Sequence, residues 1–292
     1  MHKPKFYIVF IALFCIMFSC SSKKDHNANV GMQIKGSDTI VNLVQVWAEK
    51  FSQNNNDVNV GVTGGGTGTG FAALLNNTCD IAMASRQVEK NEEDLAKKNN
   101  IVYKEFIVGL DGLAVLINKN NPVNNLTMEQ LRDIFMYKIS NWKEVGGENR
   151  PIVLLSRESN SGTHMFFKEQ VIRQADKNNK DEFSTRALLM PSSQAIVDEI
   201  DQNPNAIGYV GIGFMNNQTK VVAISAKNSD EFVYPTIEKV MEGKYPISRP
   251  LYLYTNGEPK GLVKDFIDYA LSEEGQKVVV ETSFVPIKNN EK

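Results

Sequence analysis

Three segments of the sequence share one arrangement: an apolar strand, a loop rich in glycine, serine and threonine, and then a helix. The loops are residues 36–39, 64–70 and 157–163. Each loop places free backbone N–H groups, and the positive end of a helix dipole, at the carboxyl end of a strand. Repeated strand–loop–helix units are typical of the α/β class. We therefore expect sheets whose strand ends carry polar loops that can meet.

The apolar pattern between the loops supports the same class. Helices are indicated where apolar residues recur at three-to-four spacing, and strands where they form short unbroken runs. Thr127, followed by Gln130 three residues later, predicts a capped helix start. The predicted helices are 40–51, one that opens at about Gly70, the segment after 127, 163–174, 263–271 and 273–280. The predicted strands are 30–35, 58–63, 80–84, 110–118, 152–156, 206–212 and 251–254.

The length of the chain predicts two lobes. About 260 residues follow the first thirty, which is more than one hydrophobic core usually encloses. We expect residues 31–117 and 221–292 to form lobe 1 and residues 118–220 to form lobe 2. The chain would then cross between the lobes near Asn118 and Lys220.

The first thirty residues are not expected to belong to the fold. Lys3 and Lys5 precede an apolar run, 6–18, that is too short to span a bilayer, so residues 1–19 are typical of a secretory signal. The run ends at Ser19 and Cys20, as in bacterial lipoproteins, although Phe18 stands where a small residue is usual. We expect a lipid anchor at Cys20 and a flexible tether over 20–30, with plain secretion as the alternative.

Charge and composition exclude several functions. Loss of residues 1–19 leaves 30 basic and 34 acidic side chains, a net charge of −4, which argues against nucleic acid as a partner. Beyond Cys20 only Cys79 remains, so neither a disulfide framework nor a cysteine metal site is expected. Only His26 and His164 remain outside the signal, and no G-x-S-x-G motif occurs. We predict a protein that is not an enzyme and has no metal or cofactor, with His164 packed in a first helical turn.

The three loops together predict a site for a tetrahedral oxyanion. Glycines allow close approach of the backbone, hydroxyl groups add neutral donors, and Arg157 offers a forked cationic donor. The glycine loop is not a nucleotide loop, because it lacks G-x-G-x-x-G and Gly70 is followed by Phe71 rather than lysine. Each loop alone would indicate only a turn or a helix cap. Their combination supplies donors from several directions.

The sequence resembles the phosphate-binding component of high-affinity phosphate ABC transporters, the PstS family of type II periplasmic binding proteins. The resemblance extends from Ile34 to Ile287. The segments that carry it are 35–39, 63–70, 80–86, 111–115, 126–135, 139–147, 157–163, 206–211 and 245–252.

This resemblance implies an α/β protein with two lobes, a Venus flytrap with a central sheet in each lobe and phosphate between them. It implies a monomer on the extracytoplasmic side of a membrane, with the permease and ATPase subunits of an ABC importer as partners. The residues of the candidate phosphate site are Ser37, Asp38, Thr39, Thr67, Arg86, Arg157, Ser161, Gly162 and Thr163.

Two positions depart from the family pattern. Arg86 stands where some members carry an aspartate that accepts the proton of bound phosphate, a proton that sulfate lacks. Asp38 is our candidate for this acceptor and Asp111 a weaker one, while Arg86 is either a second cationic clamp or the partner of an acid outside the pocket. Ser159 stands where some members carry an aspartate that steers the arginine, a role for which Glu158 is the candidate.

Two alternatives remain open at this point. One keeps a binding protein but changes the anion to sulfate, molybdate or another oxyanion. The other is a surface interaction or signalling module built on the same fold.

Overall fold

The computed structural model describes residues 31–55, 58–176 and 178–287. The predicted signal, Cys20 and the whole tether lie outside these residues. Within them the α/β class is confirmed. The strands are β1 (Gly31–Gly36), β2 (Asn59–Thr63), β3 (Ile81–Ala84), β4 (Tyr103–Asn118), β5 (Asn125–Thr127), β6 (Val153–Arg157), β7 (Leu188–Met190), β8 (Ala206–Gly211), β9 (Thr219–Ser225), β10 (Phe232–Val233) and β11 (Ser248–Asn256).

The helices lie between these strands and at the end of the described chain. They are α1 (Val41–Asn54), α2 (Thr67–Leu75), α3 (Lys90–Lys98), α4 (Met128–Phe135), α5 (Gly162–Phe167), α6 (Ser193–Gln202), α7 (Ile237–Met241), α8 (Gly261–Leu271) and α9 (Glu273–Glu281). None of the helices in the described ranges is both long and apolar enough to cross a membrane.

Those helices that have a clear apolar face or a capping residue are found where the sequence predicts them. The apolar face of α1 is buried, and the reciprocal hydrogen bonds of Thr127 and Gln130 start α4. The helix predicted over 163–174 is different. Here α5 ends at Phe167 and a π-helical turn, Lys168–Ile172, continues it, with Val171 and Ile172 buried in the core.

The long strand β4 belongs to two sheets. Its first part, to Gly112, pairs antiparallel with β11, and β11 continues to β3, β1 and β2. Its second part, from Leu113, pairs with β8 and β9, and β8 continues to β6 and β7. Strands β1, β2 and β3 are mutually parallel, as are β6, β7 and β8. Parallel order brings the loops after β1 and β3 to one edge of their sheet.

The strand pairing suggests different lobe limits from those expected. Asn118 pairs with Thr219 and Ile117 with Lys220, so both expected crossing points lie inside the second sheet. The pairing of β4 changes between Gly112 and Leu113, and the return to the first sheet falls between β9 and β11. We therefore propose residues 31–112 with 248–287 as lobe 1, and 113–225 as lobe 2.

Gly36 lets the first loop approach its neighbours. It ends β1 with φ of +139°, and a Cβ atom added there would lie 2.1 Å from the carbonyl oxygen of Met83 and 3.3 Å from the Cα of Gly70. The next residue, Ser37, donates its N–H to the same Met83 oxygen at 2.7 Å. Only glycine allows this contact between β1, β3 and α2.

Gly36→Ala is expected to lower the free energy of unfolding by about 3 kcal/mol or more, because it combines a disfavoured backbone with a backbone clash. Gly243→Ala is the matched control, since Gly243 has φ of +66° but nothing within 4 Å of the added Cβ. Its cost should be about 1 kcal/mol. Urea unfolding of both variants measures the difference, and equal costs would contradict the role of the Met83 contact.

Candidate functional site

Five buried hydroxyl side chains meet where the two sheets face each other. We call them the hydroxyl cluster; each is at most 1% exposed. Four were predicted as site residues, and the fifth, Ser85, lies in a motif that carries the resemblance but was not assigned a role. The members are Ser37, Thr39, Thr67, Ser85 and Thr163.

Short distances join the members of the cluster. The Oγ of Ser37 donates to the Oγ of Ser85 at 2.9 Å, and the Oγ of Ser85 lies 3.4 Å from the Oγ1 of Thr67. The Oγ1 atoms of Thr39 and Thr163 are 2.5 Å apart, although these residues are on different sheets. The backbone N–H of Thr39 donates to the Oγ of Ser37 at 3.2 Å, which links the two groups of hydroxyls into one network with members from both lobes.

The loops also touch through their backbones. Gly68 donates its N–H to the carbonyl oxygen of Asn160 at 3.0 Å, and the side-chain amide of Asn160 donates to the oxygen of Gly65 at 3.1 Å. A Cβ atom at Gly162 would lie 2.5 Å from the Oγ1 of Thr67. The lobes are therefore closed on each other. Ser161, 2% exposed, caps α5 by accepting the N–H groups of Thr163 and His164.

Arg157 is buried, and its guanidinium lies against the segment that starts α6. Its Nη1 donates to the Oγ of Ser193 at 3.0 Å, and Nε and Nη2 donate to the carbonyl oxygens of Met190 and Pro191. Nη1 also lies 3.3 Å from the Oδ2 of Asp38, which accepts the N–H of Ser193 at 2.8 Å. The carboxylate that pairs with Arg157 is thus Asp38, from the other lobe, rather than Glu158.

Arg86 pairs with acids outside the pocket, which is the second of the two roles expected for it. Its guanidinium makes two hydrogen bonds of 2.8 Å to the carboxylate of Glu92 and lies 3.4 Å from Glu89. It also stands over the ring of Phe71 at 5.4 Å. Its Nη1 and Nη2 are thus taken up by acids at the start of α3, and among the described residues it makes no hydrogen bond to the hydroxyl cluster, so the role of Arg86 as an anion ligand stays a prediction.

Arg249, to which no role is assigned from the sequence, contacts the hydroxyl cluster directly. Its Nη2 donates to Thr163 at 2.9 Å and to Thr39 at 3.4 Å, and its Nε and Nη2 donate to Asp111 at 3.1 and 2.9 Å. Arg249 is the one charged residue of β11, and Asp111 is the one charged residue of the apolar run 110–118. A single charge inside an apolar strand is the signal that could have indicated this pair.

Comparisons with known proteins agree with this geometry. A family model described as a PBP superfamily domain matches residues 23–274. The phosphate-binding protein PstS of Pseudomonas aeruginosa is 33% identical over 270 residues, which cover 86% of this chain and 81% of that protein. For PstS of Bacillus subtilis the identity is 32%, with coverage of 92% and 85%. This chain belongs to the PstS family of the PBP superfamily.

Solved structures support the assignment to the PstS family. A phosphate ABC transporter substrate-binding protein with bound phosphate, from Clostridium perfringens, superposes with a TM-score of 0.78 at 31% identity, covering 88% of this chain and all of that one. An ABC-type phosphate transport receptor from Vibrio cholerae gives a TM-score of 0.68 at 30% identity and the same coverage. The predicted two-lobed type II fold is confirmed.

His164 of this PstS family member is a packing residue. Its ring stacks on Phe183 at 4.6 Å, and its Nδ1 lies 3.1 Å from the Oγ of Ser156, which also contacts the hydroxyl of Tyr209. Burial, and then the positive charge of Lys168, lower the pKa of His164 from 6.5 to about 4. The folded state therefore keeps this imidazole neutral at pH values where the unfolded state protonates it.

His164→Asn is expected to reduce the loss of stability on acidification. Between pH 6.5 and pH 4 the unfolded chain binds one more proton at His164 than the folded chain, so stability falls as the pH falls, by roughly 3 kcal/mol in all. Stability at pH 7, where both states are neutral, gains nothing from this effect. Urea unfolding of both proteins at pH 7, 6, 5 and 4.5 measures it, and parallel pH profiles would show that the imidazole titrates normally.

Proposed function

We propose that this protein binds inorganic phosphate between its two lobes and presents it to an ABC importer. The observation that carries the proposal is the hydroxyl cluster, in which buried donors from both sheets converge beside two arginines. The PstS relatives support phosphate as the anion. No covalent bond changes in this function, so we propose a binding protein and not an enzyme.

The proposed mechanism is capture by closure. In an open state the loops after β1 and β3 would offer donors from lobe 1, and closure would add Ser161, Gly162 and Thr163 from lobe 2. The contacts of Asn160 and Asp38 with the opposite lobe would hold the closed state. Closure removes water from the donors, which strengthens hydrogen bonds to a charged ligand. The importer would recognise this closed form.

Asp38 is well placed to accept the proton of phosphate. Its Oδ2 binds Ser193 and faces Arg157, whereas its Oδ1 has no hydrogen-bond donor among the described residues and lies against Gly64 in the glycine loop. A carboxylate facing sulfate would meet an anion with no proton to share, and this mismatch is costly in a buried site. Asp111 is a poorer candidate, because both of its oxygens already accept hydrogen bonds.

The remaining features of the proposal concern residues and partners outside the described structure. We propose that Cys20 carries a lipid that holds the protein on the extracytoplasmic side of a membrane. We further propose that the protein acts as a monomer with the permease and ATPase subunits of the importer.

The first test is thermal unfolding of residues 31–292, freed of ligand, with phosphate, sulfate or molybdate. Phosphate at 100 times its dissociation constant is expected to add about 2.7 kcal/mol, a shift of a few degrees. Arg157→Gln should weaken phosphate binding by about tenfold or more, because it removes a buried positive charge. Arg150→Gln, which alters an exposed arginine of the same lobe, is the control. A shift with sulfate or molybdate alone would assign another oxyanion, and no shift with any anion would reject the proposal.

Asp38→Asn is expected to lower the ratio of phosphate to sulfate affinity by at least about tenfold. The asparagine can still accept the N–H of Ser193, so the fold should persist. Isothermal titration calorimetry with both anions, at pH 7, measures the ratio. An unchanged ratio would mean that another group accepts the proton.

A further inference from the structure

A buried ion pair lies in lobe 1, behind the hydroxyl cluster and next to the point where β4 changes its pairing. Arg249 is 3% exposed and Asp111 is fully buried, and the two residues are directly opposite each other in the antiparallel pair of β11 and β4. The Oδ2 of Asp111 accepts hydrogen bonds from Nε and Nη2 of Arg249, and its Oδ1 accepts the N–H of Ile212 at 3.0 Å. The ring of Phe166 covers the guanidinium at 5.3 Å. The guanidinium is thus held in one orientation by the carboxylate of Asp111 and the ring of Phe166.

This orientation directs the guanidinium at the place where the two lobes meet. Nη2 donates to the hydroxyls of Thr39 and Thr163, one from each lobe. Nη1 is buried and has no hydrogen-bond partner among the described residues. A buried charged donor without an acceptor is costly, by about 1–3 kcal/mol or more. The site therefore has an unused cationic N–H beside its neutral donors.

The surrounding charges favour an anion as the missing acceptor. Arg157 brings a second positive charge, and each arginine is paired with one carboxylate, Asp111 or Asp38. Burial lowers the pKa of the Arg249 guanidinium, Asp111 opposes this, and the charge of Arg157 lowers the pKa further. An anion at the contact between the lobes would stabilise the charged form of Arg249.

We propose that Arg249 is an anion-binding residue of this site, whose Nη1 donates to an oxygen of the oxyanion held by Thr39 and Thr163. Asp111 is the positioning residue that fixes the guanidinium. The proposal rests on the function proposed above and adds a second arginine to it. Because Arg249 lies where the chain passes between the sheets, an anion bound to it would draw Thr163 of lobe 2 towards Thr39 of lobe 1.

The test compares phosphate and sulfate binding to residues 31–292 by calorimetry for the wild type and two variants. Arg249→Lys keeps the charge beside Asp111 but lacks the fork, and it should weaken both anions at least tenfold. The double variant R249M/D111N removes both charges together, which avoids an unpaired buried carboxylate, and it should weaken both anions about 100-fold. Arg150→Lys, an exposed change, is the control. Equal losses for the two anions are expected because Arg249 recognises charge and not the proton.

A second measurement covers the case in which the variants fold poorly. In wild-type protein with ¹⁵N-labelled arginine, the Nε–H signal that is lost in Arg249→Lys should shift when phosphate is added, and Asp111→Asn should reduce that shift. A double variant that folds and binds phosphate within threefold of wild type, or an Nε–H signal that phosphate does not move, would make the pair purely structural. A wild-type protein that binds no phosphate would instead reject the proposed function itself.

Discussion

The antiparallel pairing of β4 with β11 is the constraint on which the site depends. This pairing places Arg249 opposite Asp111, one residue before β4 changes its pairing between Gly112 and Leu113. The loops after β1 and β6 then reach the pair from opposite sides through Thr39 and Thr163. Because β4 is continuous through both sheets, relative motion of the lobes has to be absorbed in the short segments near Gly112 and before Ser248. On the site and lobes proposed above, Asp111 and Arg249 therefore lie next to the hinge segments.

The energetics of the Asp111–Arg249 pair favour a role beyond stability. Removing two charges from water costs several kcal/mol for each ion, and their attraction only partly offsets this loss. An apolar pair of the same volume would often serve the fold as well or better. The unpartnered Nη1 adds a further cost. An anion that accepts from Nη1 would offset both penalties in the loaded state, so the pair is better explained by ligand binding than by packing.

The elements that could be predicted from the sequence are those whose determining interactions are local. The face of α1, the capping box of α4 and the closing helices α8 and α9 depend on residues within about one turn of each other, and all are confirmed. The sequence predicts a regular helix over 163–174, but its second half contains a π-helical turn. In that turn Val171 and Ile172 are buried in the core, a tertiary contact that the local sequence does not specify. Helix α3 was missed because it is almost wholly polar, although its capping box, Glu89 with Glu92, was readable.

The same distinction applies to the candidate site. The hydroxyls were predictable because each follows a strand and starts a helix, and the structure brings Ser37, Thr39, Thr67 and Thr163 together. The partners of the arginines were not predictable, because a guanidinium is long and the tertiary fold determines which group it meets. Arg86 pairs with Glu92, six residues later in the sequence, whereas Arg249 pairs with Asp111 at a separation of 138 residues. No local pattern specifies such a partner.

The two carboxylates of the site divide its tasks. Neutral hydroxyls and arginines bind any tetrahedral oxyanion, since phosphate and sulfate present oxygens in the same geometry. Discrimination therefore requires an acceptor, and among the described residues Asp38 has an oxygen without a donor, while Asp111 has none to spare. Each carboxylate also neutralises one arginine, so the site is close to neutral, and the net charge of −2 of the whole chain is largely screened beyond about 8–10 Å. On the proposed function, affinity would come from oriented donors, and specificity from Asp38, whose Oδ1 has no hydrogen-bond donor among the described residues.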